Sequence, residues 1–292
     1  MNSDKYHDLV IDVGANNGDF FIPIYSENKN ILFLAYEPIP ELMNNLKAKV
    51  SGKKNVILRQ VALSNECGTG ILNISNASDW GVSSLLEFNS ENIDNNLYWK
   101  ERSDLHFTSH IEVKITSLES ELDGIRFDRI RFIKIDSQGL DVEILSSLGR
   151  YIDKVDAGML EVPSSLSQSL YNGEKYDLRK ALNYLNQNNF HIYKIKPNDE
   201  CCNEFNVFFK RKDIDITILE NELELCKTTI YNGKDYWHMP SMELTDYPTK
   251  LHQMNTMIHE LKTQVHSLKT EIHRCMTDNV ELNEMLKDIL SK

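Results

Sequence analysis

The chain predicts an α/β fold: a mostly parallel, seven-stranded sheet with a closing antiparallel hairpin, followed by a C-terminal coiled-coil helix. Three observations predict it. Short apolar runs alternate with helix-spaced segments over residues 9–160, the pattern that builds a parallel sheet with right-handed crossovers. Residues 191–195 and 205–210 read as a closing antiparallel pair. From residue 251 onward, apolar residues recur every seven positions, the repeat of a left-handed supercoil. The chain divides accordingly into a domain at 1–212, a linker or accessory segment at 213–250 and a coiled coil at 251–292.

The elements follow in order. Leu9 to Val13 is an apolar run ended by Gly14, a buried strand leaving for a turn. Residues 19–27 predict the first helix and Ile31 to Tyr36 a second buried strand. Pro38 and Pro40 open a helix with Leu42, Leu46 and Val50 at helical spacing. Val56 to Val61 is the third strand. Residues 64–110 read as an irregular polar insertion, a length that marks a lid or substrate loop. Ile111 to Ile115 alternates like a half-exposed strand, pairing with Ile71 to Ile74 outside the main sheet. Ile130 to Ile135 is a buried strand, Leu140 to Leu148 a helix, Ala157 to Leu160 a strand, and Tyr176 to Gln187 a helix before the hairpin. Ile214 to Cys226 reads as a further helix, and the proline-containing stretch after it as a linker.

In the tail, Leu251, Ile258, Val265, Ile272, Asn279 and Leu286 occupy one heptad position, and Met254, Leu261, Leu268, Cys275, Leu282 and Ile289 the other. Three β-branched residues at a and three leucines at d favour a parallel dimer, with Asn279 fixing register. The expectation is a homodimer through residues 251–292. A single amphipathic helix packed on the body of the protein is the alternative.

Hydrophobic content of 41% and aromatic content of 9% describe an ordinary globular protein. A net charge of −12 argues against a nucleic-acid partner, because coating phosphates needs clustered Lys and Arg. The segment 251–292 holds five basic and six acidic residues, net −1, so the acidity belongs to the body. The five cysteines form no CxxC pair and suit free thiols in a reducing compartment. Adjacent Cys201 and Cys202 read as a loop pair without chemistry. No stretch approaches the roughly 20 apolar residues of a membrane helix. A cytoplasmic protein without a membrane span is expected.

Three segments carry candidate chemistry. Asp12 to Gly18, DVGANNG, follows the opening strand. Gly14 lets the backbone approach a ligand, Gly18 allows tight packing, and the following helix start offers amides to a carboxylate. Asn16 stands where a dinucleotide turn has its middle glycine, leaving less room for a pyrophosphate. Glu37 ends the next strand about 20 residues on, where a carboxylate accepts hydrogen bonds from ribose hydroxyls. In FIKIDSQGLDVEIL, Asp136 sits where a parallel strand meets the ligand crevice, and Lys134 points to the same face. A charge inside an apolar strand needs a partner, so Lys134 is expected to pair with a nearby acid, in a structural or a catalytic role. Gly139 permits the turn into the next helix.

Together the stretches DVGANNG, YEPIPELMNNLK, VALSNECGTG, ITSLESEL, FIKIDSQGLDVEILSSL and MLEVP resemble the FkbM family of methyltransferases, over about residues 8–163. The resemblance implies a Rossmann-like class I methyltransferase fold and an S-adenosyl-L-methionine-dependent O-methyltransferase acting on a hydroxyl of a sugar, glycan or related metabolite. By position it implies that Gly14 and Asn16 hold the methionine part, Glu37 the ribose, and Ala62 with Leu63 the adenine edge. Asp12 and Gly18 complete the cofactor turn. Asp136 is the first choice for the base that removes the acceptor proton, and Glu161, at a strand end, the second. Trp80, Ser83 and Ser84 resemble the family's loop over the cofactor; Trp80 either stacks on the acceptor or anchors the loop. His106 and His110 lie in the insertion and are read as solvated loop residues or as groups reaching over the site. No metal site is expected. Gln138 departs from the family, which usually has an acid there.

Two other readings stand beside this one. An NAD-dependent enzyme is disfavoured by Asn16. A methyltransferase fold weakened in catalysis and kept as a scaffold, oligomerising through its coiled coil, draws support from Gln138.

Overall fold

The computed structural model describes residues 7–25, 30–75, 80–100, 102, 104–199, 201–232, 257, 258 and 260–272. They belong to two compact units, residues 1–237 and 238–292.

The first unit is built on a seven-stranded sheet of order β3-β2-β1-β7-β8-β10-β9. Its strands are β1 (Asp8–Val13), β2 (Ile31–Tyr36), β3 (Val56–Arg59), β7 (Arg129–Ile135), β8 (Val155–Pro163), β9 (Phe190–Pro197) and β10 (Glu204–Arg211). The five strands from β3 to β8 run parallel, and β10 is antiparallel to both β8 and β9. The expected sheet and its closing hairpin are both present. A parallel sheet buries both faces, so its strands carry apolar residues at consecutive positions. Leu9, Ile11 and Val13 enter one core cluster with Leu32, Leu34 and Ile133, while Val10 packs on the opposite face with Phe33, Ala35 and Phe132.

Connections are short helices: α1 (Phe21–Ile24), α2 (Pro40–Lys49), α5 (Leu118–Leu122), α6 (Asp141–Ser146) and α7 (Leu178–Gln187). The first is much shorter than the sequence predicts. Pro23 lies inside it, and its ring removes a helical donor.

The stretch at 64–110 is more ordered than its polar composition suggests. A second sheet, of order β4-β6-β5, joins β4 (Ala62–Leu63), β5 (Gly68–Ser75) and β6 (Phe107–Thr116). Ile71 faces Glu112 and Leu72 faces Ile111 in antiparallel register, the pairing expected outside the main sheet. Two short helices, α3 (Ser90–Asn95) and α4 (Leu97–Lys100), lie between β5 and β6. Trp99 is buried there with Leu170 and Tyr171 in a small apolar cluster of its own.

After β10 come α8 (Ile216–Leu223) and α9 (Thr229–Asn232). Leu219, Leu223 and Leu225 bury against the sheet face that holds Phe132 and Phe208. Tyr231 lies tilted against Phe132 and edge-on to Phe208, and its hydroxyl lies 2.7 Å from that of Tyr193. The first part of the segment expected as a linker is therefore an integral layer of the domain. Its remainder, 233–250, lies outside the described residues.

In the second unit, residues 257, 258 and 260–272 are helical. Ile258, Leu261, Val265, Leu268 and Ile272 are each about half exposed, an apolar stripe at heptad spacing. The rest of the expected coiled coil lies outside the described residues. Among those described, no helix is long and apolar enough to cross a membrane.

Candidate active site

The parallel strands β1, β2 and β7 end at the same edge, and the turns leaving them surround a cavity of about 420 Å³. The turn after β1 is clamped to the end of β2, because the amides of Gly14 and Ala15 both donate to Tyr36 O, at 3.1 and 3.0 Å. Gly14 has φ +68, and a Cβ there would lie 1.9 Å from the backbone oxygen of Asp136. Only glycine permits that approach of β1 to β7. Asn16 also adopts a positive φ, 46°.

Glu37, one residue past β2, accepts hydrogen bonds from the amides of Asn16 at 2.8 Å and Ile39 at 2.9 Å, one on each oxygen. It is 4% exposed. Burial pushes its carboxyl up to about 7, against the opposing pull of those two amides. The carboxylate thus ties the β1 turn to the start of α2 and borders the cavity.

Beneath the turn, Lys134 donates to the backbone oxygens of Gly14 at 2.7 Å and Val13 at 3.3 Å, and lies 3.5 Å from Asp12 and 3.4 Å from Asp136. The acid partner expected for Lys134 is present twice over. Burial works against the ammonium, yet the charges of Asp136 and Asp12 hold it above its ordinary range. Asp12 is fully buried, and desolvation pushes its carboxyl up to about 6 despite the lysine. Asp136 meets the same burial penalty, but Lys134, with hydrogen bonds from Glu161 and Gln138, keeps it below the usual carboxylate range.

Gln138 is built into this network. It adopts φ +59. Its amide nitrogen donates to Asp136 Oδ1 at 2.8 Å, and its amide oxygen lies 2.9 Å from the Tyr171 hydroxyl. An amide donates and accepts at once; a carboxylate in this place would set a like charge beside Asp136.

The sequence-derived residues converge closely. Gly14, Asn16, Glu37, Ala62, Leu63, Trp80, Ser83 and Asp136 all line the cavity, with Ile39, Leu42 and Leu72 as its apolar floor. Four do not border it, Glu161 among them. Asp12 lies below as the partner of Lys134. Gly18 packs on α2, where a Cβ would meet Ile22 and Leu46. Ser84 is buried and donates to Gln138 O at 2.6 Å, so it supports the wall from behind. His106 and His110 border neither this cavity nor its neighbour; His110 instead bonds Asn73 within the second sheet, at 2.8 Å.

A second cavity of about 450 Å³ adjoins the first and shares Gly81, Asp136, Gln138, Thr229 and Ile230 with it. Glu161 lines this chamber, together with Glu204, Asn198 and Asn206 from the hairpin. The sequence reading missed Glu204, Tyr171 and the α9 residues. The strand alternation in EFNVFFKR carried a faint signal for Glu204; nothing local marked Tyr171. Among the described residues, no group of three or more His, Cys, Asp or Glu side chains is arranged to hold a metal ion, and Cys67, Cys201, Cys202 and Cys226 are free thiols.

The model of the methyltransferase FkbM domain matches residues 12–259. The chain belongs to the FkbM methyltransferase family. The FkbM match spans both chambers and the α8–α9 layer. A model described as the IPGAL2 N-terminal domain matches residues 243–287. No curated protein matches the chain. Similar solved structures include a SAM-dependent methyltransferase from Aquifex aeolicus, 16% identical over 71% of this chain and 84% of that one, with a TM-score of 0.34. An rRNA methylase from Streptococcus thermophilus is 12% identical over 71% and 88%, with a TM-score of 0.37. Fibrillarin from Aeropyrum pernix, solved with S-adenosyl-L-methionine, is 8% identical over 70% and 67%, with a TM-score of 0.36.

Proposed function

We propose that this FkbM methyltransferase binds S-adenosyl-L-methionine in the first cavity and methylates a hydroxyl of a sugar, glycan or related metabolite. The observation that carries the reading is the position of Glu37. A buried carboxylate at the end of β2 borders a cavity of small-molecule size, where a ribose diol finds its acceptor.

The residues present fit the cofactor. The turn at Gly14 to Asn16 would hold the methionine part, Glu37 the ribose, and Ala62 and Leu63 the adenine edge, over the apolar floor of Ile39, Leu42 and Leu72. Bound there, the cofactor supplies a methyl group on a sulfonium. The chain's own contribution is alignment, exclusion of water and acceptance of a proton. Asp136 is suited to accept it, since Lys134 keeps it ionised and Gln138 fixes its orientation. That orientation also weakens the case for a scaffold, because Gln138 performs a task an ionised acid could not. Glu161 and the shared-wall residues border the space beyond Asp136, which we assign to the acceptor. Trp80 and Ser83 lie on the cofactor side.

Isothermal titration with S-adenosyl-L-methionine tests the assignment. Wild type is expected to bind in the micromolar range, and Glu37→Ala to lose more than about tenfold, roughly 1.4 kcal/mol. Glu37→Gln, which keeps the shape, separates ribose recognition from loosening of the turn. Equal affinity in all three sinks the role of Glu37; stabilisation by NAD and not by S-adenosyl-L-methionine in a thermal scan sinks the cofactor.

We further propose a homodimer through residues 251–292, supported by the exposed stripe from Ile258 to Ile272. Deleting 251–292 is expected to halve the mass by light scattering and to leave cofactor binding intact; an unchanged mass defeats the dimer. The free cysteines support a reducing compartment, and the cytoplasm is the location that fits.

A further inference from the structure

We propose that Asp136, Glu161 and Glu204 form a hydrogen-bonded chain of three carboxyl groups that carries the acceptor's hydroxyl proton away from the methyl-transfer point into the second chamber. The proposal rests on the reading above, in which Asp136 meets the acceptor.

Strand register builds the chain. Ile135 pairs with Leu160 between the parallel strands β7 and β8, so Asp136 and Glu161 are the next residues past that pair. Across β8 and β10, Asn206 faces Glu161 and Glu204 faces Pro163. Glu204 is therefore the diagonal neighbour of Glu161 on the same face. All three side chains border the second chamber. Glu161 is coupled to Asp136 on one side and to Glu204 on the other, as carboxyls that share a proton would be. Two ionised carboxylates cannot bond one another, so such a contact requires a shared proton.

The surroundings say where that proton rests. Asp136 faces the Lys134 ammonium, with Asp141 on the neighbouring helix, and stays ionised. Glu161 shares the chamber with Arg102 and with Lys196, which lies two strands away in the same cross-strand row. An oxygen of Glu161 takes a bond from Asn198 Nδ2 at 2.7 Å, and burial, then the charges of Asp136, Glu204 and Asp141, hold its carboxyl well above the usual range. Glu204 is pushed up to about 7 by burial and by Asp199, against the pull of Arg102, which pairs with Asp104. An ionised base thus leads to a protonated carrier and then to a receiver poised near neutrality, the separation of values that assigns acid and base roles.

The step balances. The acceptor oxygen bonds the methyl carbon while the carbon–sulfur electron pair stays on sulfur. The hydroxyl proton passes to Asp136 and on to Glu161 as Glu161 hands its own to Glu204, which releases it to water. Glu161 and Glu204 act through Asp136 and are positioning residues.

Carbon-detected NMR of protein labelled at Asp and Glu side-chain carboxyls tests this in the free enzyme, over about pH 5 to about pH 9, a range in which ordinary carboxyls are already ionised. Beside the raised carboxyls of Asp12, Glu37, Asp141 and Glu174, wild type is expected to show one carboxyl protonated through neutrality, that of Glu161, and one titrating near it, that of Glu204. Glu161→Gln should remove the first signal, and Glu204→Gln should move its midpoint while the spectrum of the fold is unchanged. S-adenosyl-L-methionine, carrying a positive charge, should lower the midpoints; S-adenosylhomocysteine, which lacks it, should not. Ordinary carboxyl midpoints, midpoints independent of one another, or equal shifts with both ligands overturn the proposal. Failure of either ligand to bind overturns the cofactor reading instead, while the titration of the free enzyme still decides whether the carboxyls are chained.

Discussion

The two chambers share a wall yet handle charge in opposite ways. In the first, each ionisable group is fixed by a partner: Glu37 takes two backbone amides, and Lys134 bridges Asp12, Asp136 and the backbone of the β1 turn. In the second, the carboxyls of Glu161 and Glu204 crowd together with Asp136, and Arg102 and Lys196 share the lining with them. A chamber whose charges are fixed holds a ligand in one geometry; a chamber whose charges are mutually exposed holds protons. Neighbouring parts of one site thus divide positioning from proton handling.

The sharpest way to break the first chamber is Lys134→Met. It leaves Asp12 buried without its ion partner, and removing one member of a buried pair costs about 3–5 kcal/mol. Urea denaturation is expected to show a loss of that size. A loss below about 1 kcal/mol would mean that Asp12 is simply protonated.

The raised carboxyls around both chambers are tested by pH. Asp141 and Glu204 are pushed up to about 7, Asp12 to about 6 and Glu174 to about 8, in each case first by burial. Each folded value lies above that of the unfolded chain, so the native state keeps protons that the unfolded state has released. The contribution of these groups is then fully present below about pH 4 and is lost as pH rises through about 6 to about 8. The urea midpoint is expected to be higher at about pH 5 than at about pH 8; a rise over that interval would show that paired, depressed carboxyls dominate instead.

The smallest effect sharpens the shared wall. Tyr171→Phe removes a hydroxyl lying 2.9 Å from both Gln138 Oε1 and Val82 O. It is expected to cost about 1 kcal/mol of stability and to reduce turnover more than cofactor affinity, since it touches Asp136 only through Gln138.

The first chamber was legible in the sequence because contiguous motifs write it. DVGANNG supplies the turn, Glu37 follows the next apolar run, and Asp136 ends another. Strand ends of a parallel sheet meet at one edge by topology alone, so local signals there added up to a place. The second chamber was mostly illegible. Glu161, Glu204 and Tyr171 become neighbours only through hairpin register and the folding of residues 164–176, and neither leaves a periodic trace. The insertion at 64–110 was misjudged for a related reason: the first half of β5 and all of α3 lack buried residues, and their polar composition mimics a loop. The role of Gln138 emerged only with its hydrogen bonds, since an amide standing in for an acid reads from sequence as a loss.

Thr229 and Ile230 supply a wall to both chambers, although α9 lies well past the last strand of the sheet. During synthesis the seven strands can therefore be complete while the site still gapes on one side. Only when Leu219, Leu223 and Tyr231 have docked does a nascent chain enclose either chamber, so catalytic competence is acquired after the sheet, as one of the last events in building this domain.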